Sequence, residues 1–405
     1  MEKSHMGSLS IGPQGQQGQQ GQQGQLDQPE PQRTQAQNPQ VSGLERASEI
    51  KQPISDSREH PVNSLDSSVY FSRTGNLIGL SPERQAETLA NAMRSLGPGK
   101  VLLIETTGPL GGSYVEELRK SLPEALKMVP PSERPEIRFF VSDGRPVMAN
   151  PDRPDAEHNP FADYLQGLNK EKSGSGIVYA DRSQNVTRAV PNWGNPEVVD
   201  YFIRERIQPT IALARELGIK SVVVDDHIGV PPDNKSKDTY PMSAFKVANG
   251  LPEGPQSDPK VQQIITGVYG KVLRTIDDAG LNAGLSSAAD PAGSLRFGID
   301  MAKLAPLANT IEIQGYRAEA SQVQAMTNKL FENIRDNFDQ YKDVKEFKIA
   351  LTTRANGVDL SEQELIRQQK VIDGFQEQLN GLYKKRGVEP PDVGTSLWAH
   401  QHFYK

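Results

Sequence analysis

From Val69 onward, eight short runs of apolar and β-branched residues alternate with longer amphipathic stretches, a pattern that few folds accommodate. The runs are Val69 to Ser72, Val101 to Thr106, Ile137 to Ser142, Ser221 to Asp226, Asn282 to Ser287, Thr310 to Gln314, Phe347 to Thr352 and Thr395 to Ala399. Strands separated by helices imply a parallel sheet with helical crossovers, and eight is the number at which such a sheet closes on itself. An α/β fold of the (β/α)8 barrel type is therefore expected over residues 68–405.

Helix boundaries support this reading. Ser81-Pro82-Glu83 and Asn195-Pro196-Glu197 each place an N-cap before a proline and an acid, and Ser361-Glu362-Gln363-Glu364 has the form of a capping box. Gly97 and Gly218 fall where helices hand over to strands. In the fourth unit Val198, Phe202, Ile211, Leu213 and Leu217 form an apolar helical stripe that leads into Ser221-Val222-Val223-Val224. The longest stretch with little regular pattern runs from Arg145 to about Asn192, after the third strand, where barrel enzymes carry functional loops.

Residues 1–67 have a different composition. They are rich in Gln, Gly, Pro and Ser, with Gly-Gln-Gln repeated between Gly15 and Gly24, and such a segment buries too little apolar surface to offset its ordering entropy, so a disordered tail is expected. This start lacks the apolar core of a secretory signal. Its composition resembles that of substrates exported by a type III-like route, the alternative being a cytoplasmic protein.

The net charge of -6, with both signs interspersed, offers no basic stripe for nucleic acid, and no apolar run approaches the roughly 18 residues needed to insert in a membrane. The chain has 0 cysteines, which excludes disulfides, thiolate metal sites and a cysteine nucleophile. There is no Gly-x-Ser-x-Gly elbow and no phosphate-binding glycine loop. Oligomeric state has no signature in the sequence, and no cofactor is expected.

In a (β/α)8 barrel the chemistry sits at the C-terminal ends of the strands. Those positions hold Glu105, Asp143, the run Asp225-Asp226-His227, Ser286, Glu312, Gln314, Tyr316, Arg317, Trp398 and His400. Two-residue periodicity turns Ile311 and Ile313 outward and Glu312 and Gln314 inward, so a second carboxyl faces the same interior as the Asp doublet. Trp193 and Trp398 are the 2 tryptophans of the chain and could stack on sugar rings. Two carboxyl groups across a cleft are the minimum for glycoside hydrolysis, with one protonating the leaving oxygen and the other attacking carbon or activating water. Asp225-Asp226-His227 also carries the residue types of a metal cluster. Neighbours on an extended strand point opposite ways, however, and no His-x-x-x-His spacing accompanies them, so no metal is expected.

Three stretches together resemble a known group. Asn192-Trp193-Gly194-Asn195-Pro196-Glu197-Val198-Val199-Asp200-Tyr201, then Val222-Val223-Val224-Asp225-Asp226-His227-Ile228-Gly229-Val230-Pro231, then Ile311-Glu312-Ile313-Gln314-Gly315-Tyr316-Arg317 are similar in order and kind to motifs of the family-10-like glycosyl hydrolases. That group is related to the hydrolase domain of bacterial poly-glucosamine processing proteins. Asn282-Ala283-Gly284-Leu285-Ser286-Ser287 resembles its Ser-rich strand, while Gly315 stands where the group has a larger residue.

The resemblance spans about Tyr179 to Leu330 and implies a (β/α)8 fold, a polysaccharide or oligosaccharide substrate and a catalytic acid at Asp225 or Asp226, to which the inward-facing Glu312 adds the second carboxylate. Glu105, Asp143, Trp193, His227, Ser286, Gln314, Tyr316, Arg317, Trp398 and His400 are then expected to shape the cleft. The rival reading is a barrel that binds carbohydrate, or acts as a secreted effector, without hydrolysing anything.

Overall fold

The computed structural model of the chain describes residues 67–71, 77, 79–108, 112–142, 160–179, 189–287, 290–352, 354–355 and 358–398. The expected N-terminal tail, Asp143 and His400 lie outside the described residues. Eight parallel strands form the barrel: β1 (Ser67–Phe71), β2 (Val101–Gly108), β3 (Glu136–Val141), β4 (Ser221–Val224), β5 (Asn282–Ser287), β6 (Thr310–Gln314), β7 (Glu346–Thr352) and β8 (Asp392–Trp398). Each pairs with the next in chain order, and β1 pairs with both β2 and β8, which closes the sheet. All eight coincide with the runs expected from the sequence, to within a few residues at their ends. The fold is an α/β barrel.

The alternation within each strand sorts side chains into two environments. Outward residues such as Ile104, Phe139, Val222, Leu285, Ile311 and Phe347 are buried against the surrounding helices. Each contributes about 1.5–3 kcal/mol by leaving water. Inward residues form only a small apolar plug, Tyr70, Val101, Leu103, Phe140 and Val223. Much of the remaining interior is polar, which is unusual for a core that such barrels commonly fill with Val, Ile and Leu.

The helices are α1 (Pro82–Leu96), α2 (Val115–Met128), α3 (Pro160–Glu171), α4 (residues 196–217), α5 (Pro241–Ala248), α6 (Pro259–Asp277), α7 (Ala320–Asp336) and α8 (Glu362–Lys385), with shorter helical turns between β5 and β6. Ser81 and Asn195 cap as expected, accepting from Arg84 N and Glu197 N. Gly218 ends α4 with φ 70, a conformation that glycine adopts without strain. Helix α4 contains a π turn at Ile203–Ile207, because Pro209 has no N–H for the Glu205 carbonyl and the ladder loosens there. The Ser361 box is only half closed. Ser361 accepts from Glu364 N, but the Glu364 carboxylate instead accepts from Ala320 N at 2.6 Å and so caps the start of α7.

The stretch from Arg145 to Asn192 is more regular than expected. It contains α3, whose Phe161, Ala162, Leu165 and Leu168 form a buried stripe at helical spacing, and an antiparallel pair of Ile177–Tyr179 with Ala189–Pro191. Among the described residues no helix is long and apolar enough to cross a membrane.

Candidate active site at the barrel mouth

Strand β4 stops at Val224, two residues earlier than expected, and Asp226–Ile228 turn into a 3-10 helix capped by the Asp225 side chain. This small difference changes the site. On a continuing strand Asp225 and Asp226 would face opposite ways; in the tight turn the ligating atoms of Asp225, Asp226 and His227 all lie within 4.8 Å of one another. The alternation argument against a shared site therefore does not hold, and among the described residues this trio can offer two carboxylates and an imidazole to a cation.

Asp225 is held from several elements. Its Oδ1 accepts from Gln314 Nε2 on β6 and from the Asp226 backbone N–H, both at 2.8 Å. The Tyr269 hydroxyl on α6 donates to its main-chain carbonyl at 2.9 Å, and its own N–H donates to Val141 O. At 3 % exposed, its carboxyl is pushed well above the ordinary range, first by burial and then by the negative charge of Asp226. Oδ1 already accepts two N–H groups, which leaves Oδ2 as the oxygen that can carry a proton. The Asp226 carboxyl lies beside Asp225 and adds to the rise of its carboxyl.

His227 is oriented from outside the pair. Its Nδ1 is hydrogen-bonded to the carbonyl of Ser142, beyond the end of β3, and a carbonyl only accepts, so Nδ1 carries the hydrogen. Nε2 then faces Asp225 Oδ2 at 3.5 Å. Ser142 also donates to Glu105 Oε1 at 2.7 Å, which ties the Glu105 carboxylate of β2 into the same end of the barrel. Tyr70 lies between these acids. Burial and the neighbouring Glu105 and Asp225 raise its phenol well above the usual value.

The sequence correctly turns Glu312 and Gln314 inward, but it does not foresee where Glu312 sits. Its two oxygens accept from the hydroxyls of Ser286, at 2.9 Å, and Ser396, and it is 2 % exposed. Gln314 Nε2 also reaches Ser286 Oγ at 3.2 Å, so a continuous chain runs from Asp225 through Gln314 and Ser286 to Glu312. Burial raises the Glu312 carboxyl, while the two serines and Lys348 act against that rise. Glu312 is thus a carboxyl linked to Asp225 by hydrogen bonds, rather than one facing it across an open cleft.

The other expected residues divide. Tyr316 and Arg317 follow β6 at the mouth, both half-buried. The Tyr316 phenol is raised by burial and by Glu312, Asp225 and Asp226. Trp398 pairs through its backbone with Thr352 at the end of β8, and its side chain lies outside the described residues. Trp193 is a correction: it is 2 % exposed and packs against Phe161 and Phe202 at ring distances of 6.1 and 5.3 Å, so its faces are taken up by core neighbours. Gly315 has a steric reason. A Cβ there would meet Met326 Cε at 2.9 Å and Ile349 Cγ2 at 3.1 Å, so neighbouring side chains occupy the space of a larger residue.

Four contributors escaped the sequence reading. Tyr70, Ser142 and Ser396 occupy inward or terminal positions of recognised strands, so strand alternation carried a usable signal. Tyr269 lies on α6 and reaches Asp225 through tertiary packing alone, for which no local pattern exists.

No family model and no curated protein matches the chain. It is similar in structure to a cycloisomaltooligosaccharide glucanotransferase of Paenibacillus sp. (9% identity, 71% of this chain and 38% of that one, TM-score 0.38). It is also similar to a family 18 chitinase from Crocus vernus (9% identity, 83% and 93%, TM-score 0.35). A third similar structure is the spore cortex-lytic enzyme of Bacillus megaterium (8% identity, 83% and 70%, TM-score 0.39). The chain thus spans well under half the length of the glucanotransferase.

Proposed function

We propose that the barrel mouth is a general acid–base site for glycoside hydrolysis of a polysaccharide or oligosaccharide. The observation that carries this reading is the buried Asp225–Asp226 pair, in which burial and the neighbouring charge raise the Asp225 carboxyl well above that of a free aspartate. A glycosidic oxygen is a poor leaving group and needs an acid that is still protonated near neutral pH. Asp225 stores the proton, and Asp226 passes it to the glycosidic oxygen as the bond to the anomeric carbon breaks. Asp226, now a carboxylate, then takes a proton from the water that adds to that carbon, and the pair is restored. Gln314 and the Asp226 N–H hold Asp225 Oδ1, so that the proton resides on Oδ2. His227, its tautomer set by Ser142, fixes the position of that oxygen.

A second reading, a barrel that binds saccharide without cleaving it, is favoured by Glu312, whose two oxygens are already engaged by serines. Hydrolysis of a polysaccharide panel that includes partly deacetylated poly-glucosamine separates the two, using the parent protein with Asp225→Asn and Asp226→Asn. Under the acid–base reading the parent releases reducing ends and Asp226→Asn does not, although it stays folded. Release of reducing ends by neither protein, with equal saccharide binding by all three, overturns catalysis and leaves the binding reading.

A further inference from the structure

Arg317 differs from several other arginines of this barrel. Arg138 is clasped by Glu136 and Glu346, Arg134 donates to the carbonyls of Val129 and Leu126, and Arg215 gives two hydrogen bonds to Ala279 O. The Arg317 guanidinium, half-buried just beyond β6, makes one long contact, 3.5 Å to the carbonyl of its neighbour Tyr316, and no ion pair among the described residues. Its backbone is fixed nonetheless: Arg317 N–H donates to Gly315 O at 2.7 Å and Gln368 Nε2 on α8 donates to Arg317 O at 3.1 Å.

Asp290 is the acid that acts on it electrostatically, but that carboxylate is already committed. Oδ1 accepts from Gly293 N at 2.9 Å, and Oδ2 pairs with Lys329 at 3.5 Å. Burial pulls the guanidinium below its usual value, and Asp290 opposes this only in part. A desolvated charge held on a fixed backbone without a counter-charge costs stability, unless something that binds there supplies the counter-charge.

We propose that Arg317 is the specificity residue of the mouth and takes the carboxylate of a uronic acid unit, making the preferred ligand an acidic saccharide. The planar guanidinium offers parallel N–H donors that match a carboxylate, which a neutral hydroxymethyl group cannot engage in the same way. Arg317 follows β6, whose Gln314 holds Asp225, so a sugar chain lying across the mouth brings one unit to the acids while a neighbouring unit is held by its charge. This inference rests on the saccharide reading of the site but not on catalysis.

The test is binding by calorimetry to matched pairs of oligosaccharides that differ only at C6: cellotetraose and maltotetraose, each beside its C6-oxidised, glucuronate-containing form. The full chain should bind at least one oxidised form ten-fold or more tightly than its neutral partner, with the preference shrinking as salt is raised. Arg317→Gln should bring the pair together by weakening only the oxidised ligand, and Arg317→Lys should keep part of the preference. Equal binding of neutral and oxidised forms by the parent, no binding of either, or a preference that persists in Arg317→Gln would overturn the assignment. The parent comparison decides even if Arg317→Gln does not fold. A preference seen without hydrolysis removes the acid–base reading and leaves this one standing.

Discussion

The two ends of the barrel treat buried charge in opposite ways. At the N-terminal end Arg138 lies between Glu136 and Glu346, and Lys348 pairs with Glu346 at 3.0 Å. Gly394 leaves room for this, since a Cβ there would meet Lys348 Nζ at 2.9 Å. At the mouth, neither Asp225 nor Asp226 has a Lys or Arg in ion-pair range among the described residues, and only His227 approaches. The titration directions follow. Burial alone would raise Glu346, but Lys348 and Arg138 outweigh it and hold that carboxyl low; at Asp225 burial and a like charge act together and hold it high. Compensated charge at one end serves the fold, and uncompensated acid at the other is what proton transfer requires.

The most severe way to break this contrast is at the mouth. Asp226→Asn should lower the hydrolysis rate by about 10²–10⁴-fold, the range for loss of a general acid, with the far-ultraviolet spectrum unchanged. The same assay on Glu346→Gln should show a rate within about two-fold of the parent, because that carboxylate is at the opposite end.

The second test exchanges the roles. Arg138→Met strands part of a buried network and should cost about 3 kcal/mol in urea unfolding, without moving the pH profile of activity. A cost under about 0.5 kcal/mol would show the network to be no more than a surface ion pair.

Stability measured against pH sharpens the comparison further. Glu346 has a lowered folded value, so its contribution is complete above the unfolded carboxylate range, about pH 4, and is lost as pH falls through the folded value. Asp225 has a raised folded value, so its contribution is complete below about pH 4 and is lost as pH rises toward the folded value. Asp225→Asn should therefore become progressively more stable relative to the parent as pH rises from about 4, whereas Glu346→Gln should become less stable relative to the parent as pH rises toward about 4 and hold that deficit above it. Parallel curves for the two variants would contradict the opposite signs.

The smallest expected effect lies just beyond β6. Gly315→Ala should destabilise by about 1 kcal/mol in thermal unfolding, because Met326 and Ile349 must yield to the new methyl group.

By itself the amino-acid pattern determined the eight strands, the inward turn of Glu312 and Gln314, the caps at Ser81 and Asn195, and the Asp doublet at a strand end. These are local properties, set by two-residue and 3.6-residue periodicity and by residues that favour a single backbone conformation. It misjudged α3, where a clear apolar stripe is surrounded by Pro, Asp and Gly, and it gave Trp193 an open face that Phe161 and Phe202 occupy. Only the tertiary structure decided that β4 ends at Val224, that burial beside Asp226 raises the Asp225 carboxyl, that Ser286 and Ser396 engage Glu312, and that Arg317 has no partner carboxylate among the described residues. Each of these depends on atoms brought together from distant strands, and on burial, which removes the water that would otherwise screen a charge or accept its proton.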